Sequence, residues 1–119
     1  MENKRKIGTD YEKQAAEYLM QKGFRIVRQN FYCKSGEIDI IARDGEYLVF
    51  VEVKYRRDAS YGSPLEAVNV KKQKRICRAA SYFCLRYGYG MEQPFRFDVV
   101  AILGNGEITH VQNAFEYRI

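Results

Sequence analysis

Two carboxylates and an ammonium group occur near one another in the middle of the chain, as Asp39, Glu52 and Lys54. Carboxylates that share a site hold a hard divalent cation, and a lysine beside them stabilises negative charge on a reacting phosphate. Twelve residues separate Asp39 from Glu52. The chemistry therefore depends on the elements that bring these side chains together.

A β-hairpin would place the three side chains on one face of a sheet. Asp44-Gly45, between two runs rich in β-branched and aromatic residues, predicts a two-residue loop joining strands 37–43 and 46–56. In this register Asp39 opposes Phe50 and is a diagonal neighbour of Glu52. Alternation gives one face of the hairpin a polar end and an apolar end. The polar end, far from the loop, holds Glu37, Asp39, Glu52 and Lys54, and the apolar end, near the loop, holds Ile41, Leu48 and Phe50. The other face is apolar and holds Ile38, Ile40, Ala42, Tyr47, Val49, Val51 and Val53.

Crowding of the acids predicts a cation. Two carboxylates about 5–7 Å apart repel by about 3 kcal/mol at an effective dielectric constant near ~20, which is roughly two pKa units. One acid must then take a proton, or both must share a positive charge. Mg²⁺ or Mn²⁺, completed by water and substrate phosphate, suits so few oxygen ligands. A solvated ion-pair ladder between Glu52 and Lys54 is the alternative that needs no metal.

Two further acids have competing explanations, and a third is assigned to an ion pair. Glu12, in a helix predicted over residues 9–22, either completes the site or forms a capping box with Thr9 as the N-cap. Glu37 is either a metal or water ligand or the end of a turn. Asp98 is expected to form an ion pair with Arg96 on its own strand.

A basic helix predicts contact with a polyanion. Lysine and arginine number 20 against 15 acids, which gives a net charge of +5. We predict phosphate contacts from six residues near the start of a helix over 65–87 and at the end of a strand: Lys71, Lys74, Arg75, Arg78, Arg56 and Arg57. Such binding would weaken with salt and ignore sequence. A solvated polar face is the alternative, and the Tyr61-Gly62 loop is expected to cover the substrate.

Length and composition favour a single domain over residues 1–119, with the element order α-β-β-β-α-β-β and an α/β architecture. One histidine and three scattered cysteines exclude histidine-rich zinc sites and any CxxC pair. Cys77 and Cys84 are too far apart on one helix to form a disulfide. We therefore expect a cytoplasmic protein without a membrane segment.

The spacing of Asp39 and Glu52-Val53-Lys54 resembles the PD-(D/E)XK nuclease motif. Together with Gly36–Ile41 and Arg96–Val100, these residues resemble the YraN family of bacterial proteins, which are similar to archaeal Holliday junction resolvases. The resemblance covers about residues 8–103. It implies a restriction-endonuclease-like fold, in which helices flank a mixed central sheet, and an endonuclease that acts on branched DNA. Cutting a junction twice with one small site would call for two copies, so a homodimer is expected. The resemblance also implies that Glu12 joins the site.

Three hypotheses follow for the function. The first is a metal-dependent DNA endonuclease in which Asp39, Glu52 and Glu37 bind the metal and Lys54 and Glu12 take part in catalysis; RNA stays open as a substrate. The second is a nucleic-acid-binding domain that keeps the fold without turnover. The third is a protein-interaction module in which the acids form an ion-pair ladder.

Overall fold

The computed structural model describes residues 4–58 and 68–118, and in the first helix it describes side chains from Asp10 onward. Seven elements follow in the predicted order: α1 (Lys4–Gln21), β1 (Arg25–Cys33), β2 (Gly36–Asp44), β3 (Tyr47–Arg56), α2 (Val70–Arg86), β4 (Phe95–Leu103) and β5 (Ile108–Phe115). Within these described ranges, no helix combines the length and the apolar character needed to cross a membrane.

The five strands form one sheet in sequence order, β1-β2-β3-β4-β5. Neighbouring strands are antiparallel except β3 and β4, which are parallel. A parallel pair needs a long crossover connection, and α2 lies in that connection. The result is a mixed sheet flanked by two helices, which confirms the predicted α/β fold class.

One helix covers each face of the sheet, so that the core has two parts. The first packs Ala15, Ala16 and Leu19 of α1 against Ile40, Val49, Val51, Val100 and Ile102. The second packs Ile76, Cys77, Ala80 and Phe83 of α2 against Phe31, Ile41, Phe50 and Phe97. Residues of β3 and β4 supply both parts, which explains their continuous apolar runs.

The hairpin between β2 and β3 differs from the prediction in its register. Asp44 pairs with Tyr47, so the loop is Gly45-Glu46 rather than Asp44-Gly45. Gly45 has a φ of 61°, and glycine at the first position is what one type of two-residue loop requires. Phe50 consequently opposes Ile41 instead of Asp39. The partners shift by two residues, and an even shift leaves side chains on their predicted faces.

Ile38 is the exception to the predicted faces. It packs in the core on the α2 side, not with Ile40 on the α1 side. The ladder between β2 and β3 ends at Ile40 and Val51. The regular alternation that the prediction assumed ends there as well.

Both helix starts also differ from the prediction. Helix α1 begins at Lys4, so Thr9 lies inside it and the capping-box explanation of Glu12 is wrong. Helix α2 begins at Val70, where the Oδ1 atom of Asn69 accepts a hydrogen bond from the backbone N–H of Lys72 at 2.9 Å. The predicted start at residue 65 and the Tyr61-Gly62 loop lie outside the described residues.

Candidate functional site

The predicted acids lie where β2 and β3 separate. Asp39 and Glu52 are the next residues after the last ladder pair, Ile40 and Val51. The Oδ2 atom of Asp39 accepts a hydrogen bond from the backbone N–H of Val53 at 2.8 Å. The Asp39 side chain thus takes the place of a backbone carbonyl of β2 as the partner of the Val53 N–H, while β3 continues beside β4. The backbone itself therefore holds Asp39 next to Glu52.

A polar cavity of about 220 Å³ lies at this strand end. Asp39 and Glu52 are buried, with 9% and 5% of their surface exposed, whereas Glu12 is half-buried and Glu37 is exposed. Both helices and both strands contribute to the lining, which consists of Tyr11, Glu12, Glu37, Asp39, Glu52, Val53, Lys54, Tyr55 and Lys72. The structure therefore brings together all five residues predicted for metal binding and catalysis.

Burial and charge crowding hold a proton on Asp39. Its pKa rises from 3.8 to about 8 because the carboxyl is buried and because Glu52 adds a nearby negative charge. The hydrogen bond from Val53 opposes this rise but is outweighed. A carboxyl with such a pKa is largely neutral at neutral pH when no metal is present.

Glu12 reaches the same site from α1. Burial raises its pKa, and Asn30 and Asp39 are its side-chain hydrogen-bond partners. A bond between two carboxyl groups requires a proton on one of them, which agrees with the raised pKa of Asp39. Asn30 has a φ of 55°, a backbone conformation that asparagine tolerates better than most residues. Sequence reasoning missed Asn30, because nothing in a strand pattern marks such a position.

Two lysines contact one oxygen of Glu52. The Nζ atom of Lys72 lies 2.9 Å from Oε1 of Glu52, and that of Lys54 lies 3.5 Å from the same oxygen. Sequence reasoning missed Lys72 as a site residue. The signal was available, because Lys72 interrupts the apolar stripe between Val68 and Ile76.

The two lysines differ in the direction of their pKa shifts. Burial and the neighbouring Lys72 lower the pKa of Lys54, although the charge of Glu52 acts to raise it. Burial is the largest single effect on Lys72 and lowers its pKa, but the charge and hydrogen bond of Glu52, together with smaller contributions from Lys54 and Asp39, raise the pKa overall.

The predicted basic residues extend from the cavity along α2. Lys71, Arg75 and Arg78 are exposed, and Lys74 is half-buried. At the end of β3, Arg57 is exposed and Arg56 is half-buried. None of these six side chains lines the cavity, so they form a separate surface beside it.

Asp98 lies outside the cavity, in a buried network. Its Oδ1 atom accepts a hydrogen bond from Nε of Arg96 at 3.0 Å, as expected from the sequence, and its Oδ2 atom lies 2.8 Å from Nε2 of His110. The backbone N–H of Asn113 donates a third bond. Burial alone would raise the pKa of Asp98. The bonds from His110, Arg96 and Asn113 lower it by more, so the pKa lies below its ordinary value. Asp98 and His110 therefore join β4 to β5.

A second cavity, of about 420 Å³, is larger but has no such chemistry. It lies between the C-terminal part of α2 and the start of β4, and its described lining contains no acidic or basic side chain. The smaller polar cavity is the better candidate site, because it brings four carboxyl groups and two lysines together and shifts the pKa of Asp39.

The donors of the polar cavity fit magnesium rather than zinc. Among residues 4–58 and 68–118, no group of three or more His, Cys, Asp and Glu side chains could by itself hold a metal ion. Mg²⁺ commonly uses one or two carboxylates and completes its octahedron with water and substrate phosphate. Asp39 and Glu52 supply that number, and the neutral state of Asp39 marks a position where a cation could replace a proton.

Comparison with known proteins shows the family. The model of the uncharacterised protein family UPF0102 matches residues 11–102. A UPF0102 protein of Lachnoclostridium phytofermentans is 46% identical over 114 residues, 96% of each chain. One of Symbiobacterium thermophilum is 47% identical over 115 residues, covering 93% of this chain and 97% of the relative. Their names state no activity. The chain belongs to the UPF0102 family.

Proposed function

We propose that the protein is a metal-dependent endonuclease that hydrolyses phosphodiester bonds in branched or junction DNA. The observation that carries this proposal is the cavity itself, which four carboxyl groups and two lysines line and in which the pKa of Asp39 rises to about 8. An excess of acid at an open cavity is the arrangement that a divalent cation neutralises. The resemblance to the YraN family and the PD-(D/E)XK motif supports the same reading.

Each residue of the cavity has a role in this proposal. A bound divalent cation would polarise the phosphate and lower the pKa of an attacking water. Asp39 and Glu52 would hold the cation, with Glu37 at the rim as a third ligand. Lys54 would stabilise the charge that develops on the phosphate. Glu12 would orient Asp39 through their hydrogen bond.

The basic surface would hold the nucleic acid. Lys71, Arg75 and Arg78 are exposed along α2, which begins beside the cavity. Contacts of this kind position a phosphate backbone without reading sequence. Cutting both strands of a junction with one small site calls for two copies, so we propose a homodimer. The three cysteines are free thiols, which supports a cytoplasmic location.

A nucleic-acid-binding domain without turnover is the second candidate. One observation favours it: Glu52 already pairs with Lys54 and Lys72, and Asp39 is neutralised by a proton. The cavity is therefore electrically satisfied without a metal. In this candidate the basic surface binds DNA and the acids are structural.

Cleavage assays separate the candidates. A junction, a flap and a linear duplex are incubated with Mn²⁺ and the wild type, Asp39→Asn, Lys54→Ala or Glu12→Gln. Glu17→Gln is the matched control, because Glu17 is exposed on the same helix as Glu12. The proposal expects metal-dependent cutting by the wild type and the control, and a loss of at least about a hundredfold in Asp39→Asn. Salt-dependent DNA binding without cutting would select the second candidate, and neither binding nor cutting would favour a protein-interaction module.

A further inference from the structure

We propose that Lys72 is the resident counter-ion of Glu52 in the metal-free protein, and that it moves to the substrate phosphate when a divalent cation binds. This inference rests on the proposed function for the identity of the substrate. Its first half concerns only the metal-free protein and the metal. The two halves can therefore fail separately.

Lys72 is the closer of the two cations at Glu52. Its Nζ atom lies 2.9 Å from Oε1, against 3.5 Å for Lys54. Glu52 is 5% exposed, and a carboxylate at that depth requires a charged or hydrogen-bonding partner. Lys72 thus supplies the main positive charge that the buried Glu52 needs in the absence of a metal.

A divalent cation on Glu52 would compete with Lys72. Both would approach the same carboxylate from the same cavity, and like charges at such distances repel strongly. Lys54 has less freedom to leave, because its side chain is 22% exposed compared with 38% for Lys72. Lys72 is therefore the group that gives way.

The backbone allows Lys72 to move without unfolding the helix. Its N–H donates to the Asn69 side chain at 2.9 Å, which fixes the first turn of α2. The four-carbon side chain can then change rotamer while the helix start stays in place. Lys71, the neighbouring residue, is exposed and already on the surface predicted to contact phosphates. Lys72 would extend that surface to the cavity.

The test is a pair of titrations on Lys72→Met, Lys72→Arg and Lys71→Met. Calorimetry with Mn²⁺ and no DNA is expected to show about tenfold tighter binding for Lys72→Met, since a competing charge is gone. Lys72→Arg, which keeps the charge, and Lys71→Met, which lacks the Glu52 contact, should stay within about twofold of the wild type. With Ca²⁺ in place of Mn²⁺, binding of a DNA junction should weaken several-fold in Lys72→Met.

Opposite effects on metal and DNA binding would not arise from a purely structural role. Mn²⁺ affinity in Lys72→Met that is unchanged or lower would overturn the inference, as would absence of Mn²⁺ binding in every variant. Circular dichroism of each variant identifies a folding defect, and Lys72→Gln provides a second neutral variant if Lys72→Met fails to fold. If the wild type binds Mn²⁺ and Lys72→Met binds it more tightly, yet no DNA is cut, the endonuclease proposal fails while the counter-ion role stands.

Discussion

Asp39→Asn should stabilise the metal-free protein increasingly as the pH rises. The folded-state pKa of Asp39 is raised from 3.8 to about 8, so between these values the folded protein binds a proton that the unfolded chain does not. The free energy of unfolding therefore falls with rising pH, by up to about 1.4 kcal/mol per pH unit from this group. Glu12, whose pKa is also raised, contributes in the same direction.

The substitution removes this pH dependence with little change in contacts. An asparagine oxygen can still accept the hydrogen bond from the backbone N–H of Val53, but the side chain no longer ionises. Between about pH 5 and about pH 7.5, the wild type should lose up to about 3 kcal/mol relative to Asp39→Asn. The lowered pKa of Lys54 acts in the opposite direction, but it is common to the wild type and Asp39→Asn and so does not enter their difference.

Denaturant unfolding followed by circular dichroism, in EDTA at a series of pH values, measures the difference. Asp10→Asn, an exposed acid on α1, is the matched control and should follow the wild type. Added Mn²⁺ should reverse the slope in the wild type, because a bound cation stabilises the ionised carboxylates, and should have much less effect in Asp39→Asn. Parallel pH profiles for the wild type and Asp39→Asn in EDTA would refute the reasoning.

Two other changes test the molecule outside the cavity. Asp98→Asn removes the fully buried charge that pairs with Arg96 and His110, while Arg96 keeps its ion pair with Asp44 at 2.8 Å. The change should cost about 1–3 kcal/mol in denaturant unfolding. Mn²⁺ affinity of the folded fraction should not change, and a change would place Asp98 in the metal site. Replacing Arg75 and Arg78 together by glutamine should reduce the slope of log Kd against log salt by about two for duplex DNA; an unaltered slope would remove these residues from the interface.

Period-two alternation predicted the paired part of the hairpin, up to the point where the site begins. The prediction misplaced the loop of the hairpin by one residue, because both Asp44-Gly45 and Gly45-Glu46 place glycine in a two-residue turn. The resulting error in pairing was even, so residues 40–44 and 47–51 kept their predicted faces. Asp39 and Glu52 lie just beyond this ladder, and both line the polar cavity. A register error of one residue in a single strand would have separated the two acids and removed the prediction.

What the sequence could not reveal depends on tertiary contacts. The start of α1 at Lys4 excludes Thr9 as a cap, and only packing in the folded chain shows that Glu12 faces Asp39. Asn30 contributes through an unusual backbone conformation inside β1. Lys72 occupies a position that helical periodicity assigns to the core. A charge on a buried face requires a partner, and this could have indicated that Lys72 belongs to the site.

The location of the site has a structural cause that also limits its stability. Asp39 is buried at a point where the ladder leaves a backbone N–H for its carboxyl group, because the separation of β2 from β3 exposes that of Val53. Asp39 thus closes the end of the ladder with a carboxyl group whose ionisation is unfavourable. Replacement by alanine would lose both the hydrogen bond and the charge, whereas asparagine loses only the charge. Comparing these two variants separates the structural part of Asp39 from its electrostatic part, since a role confined to the ladder would make asparagine equivalent to the wild type at every pH.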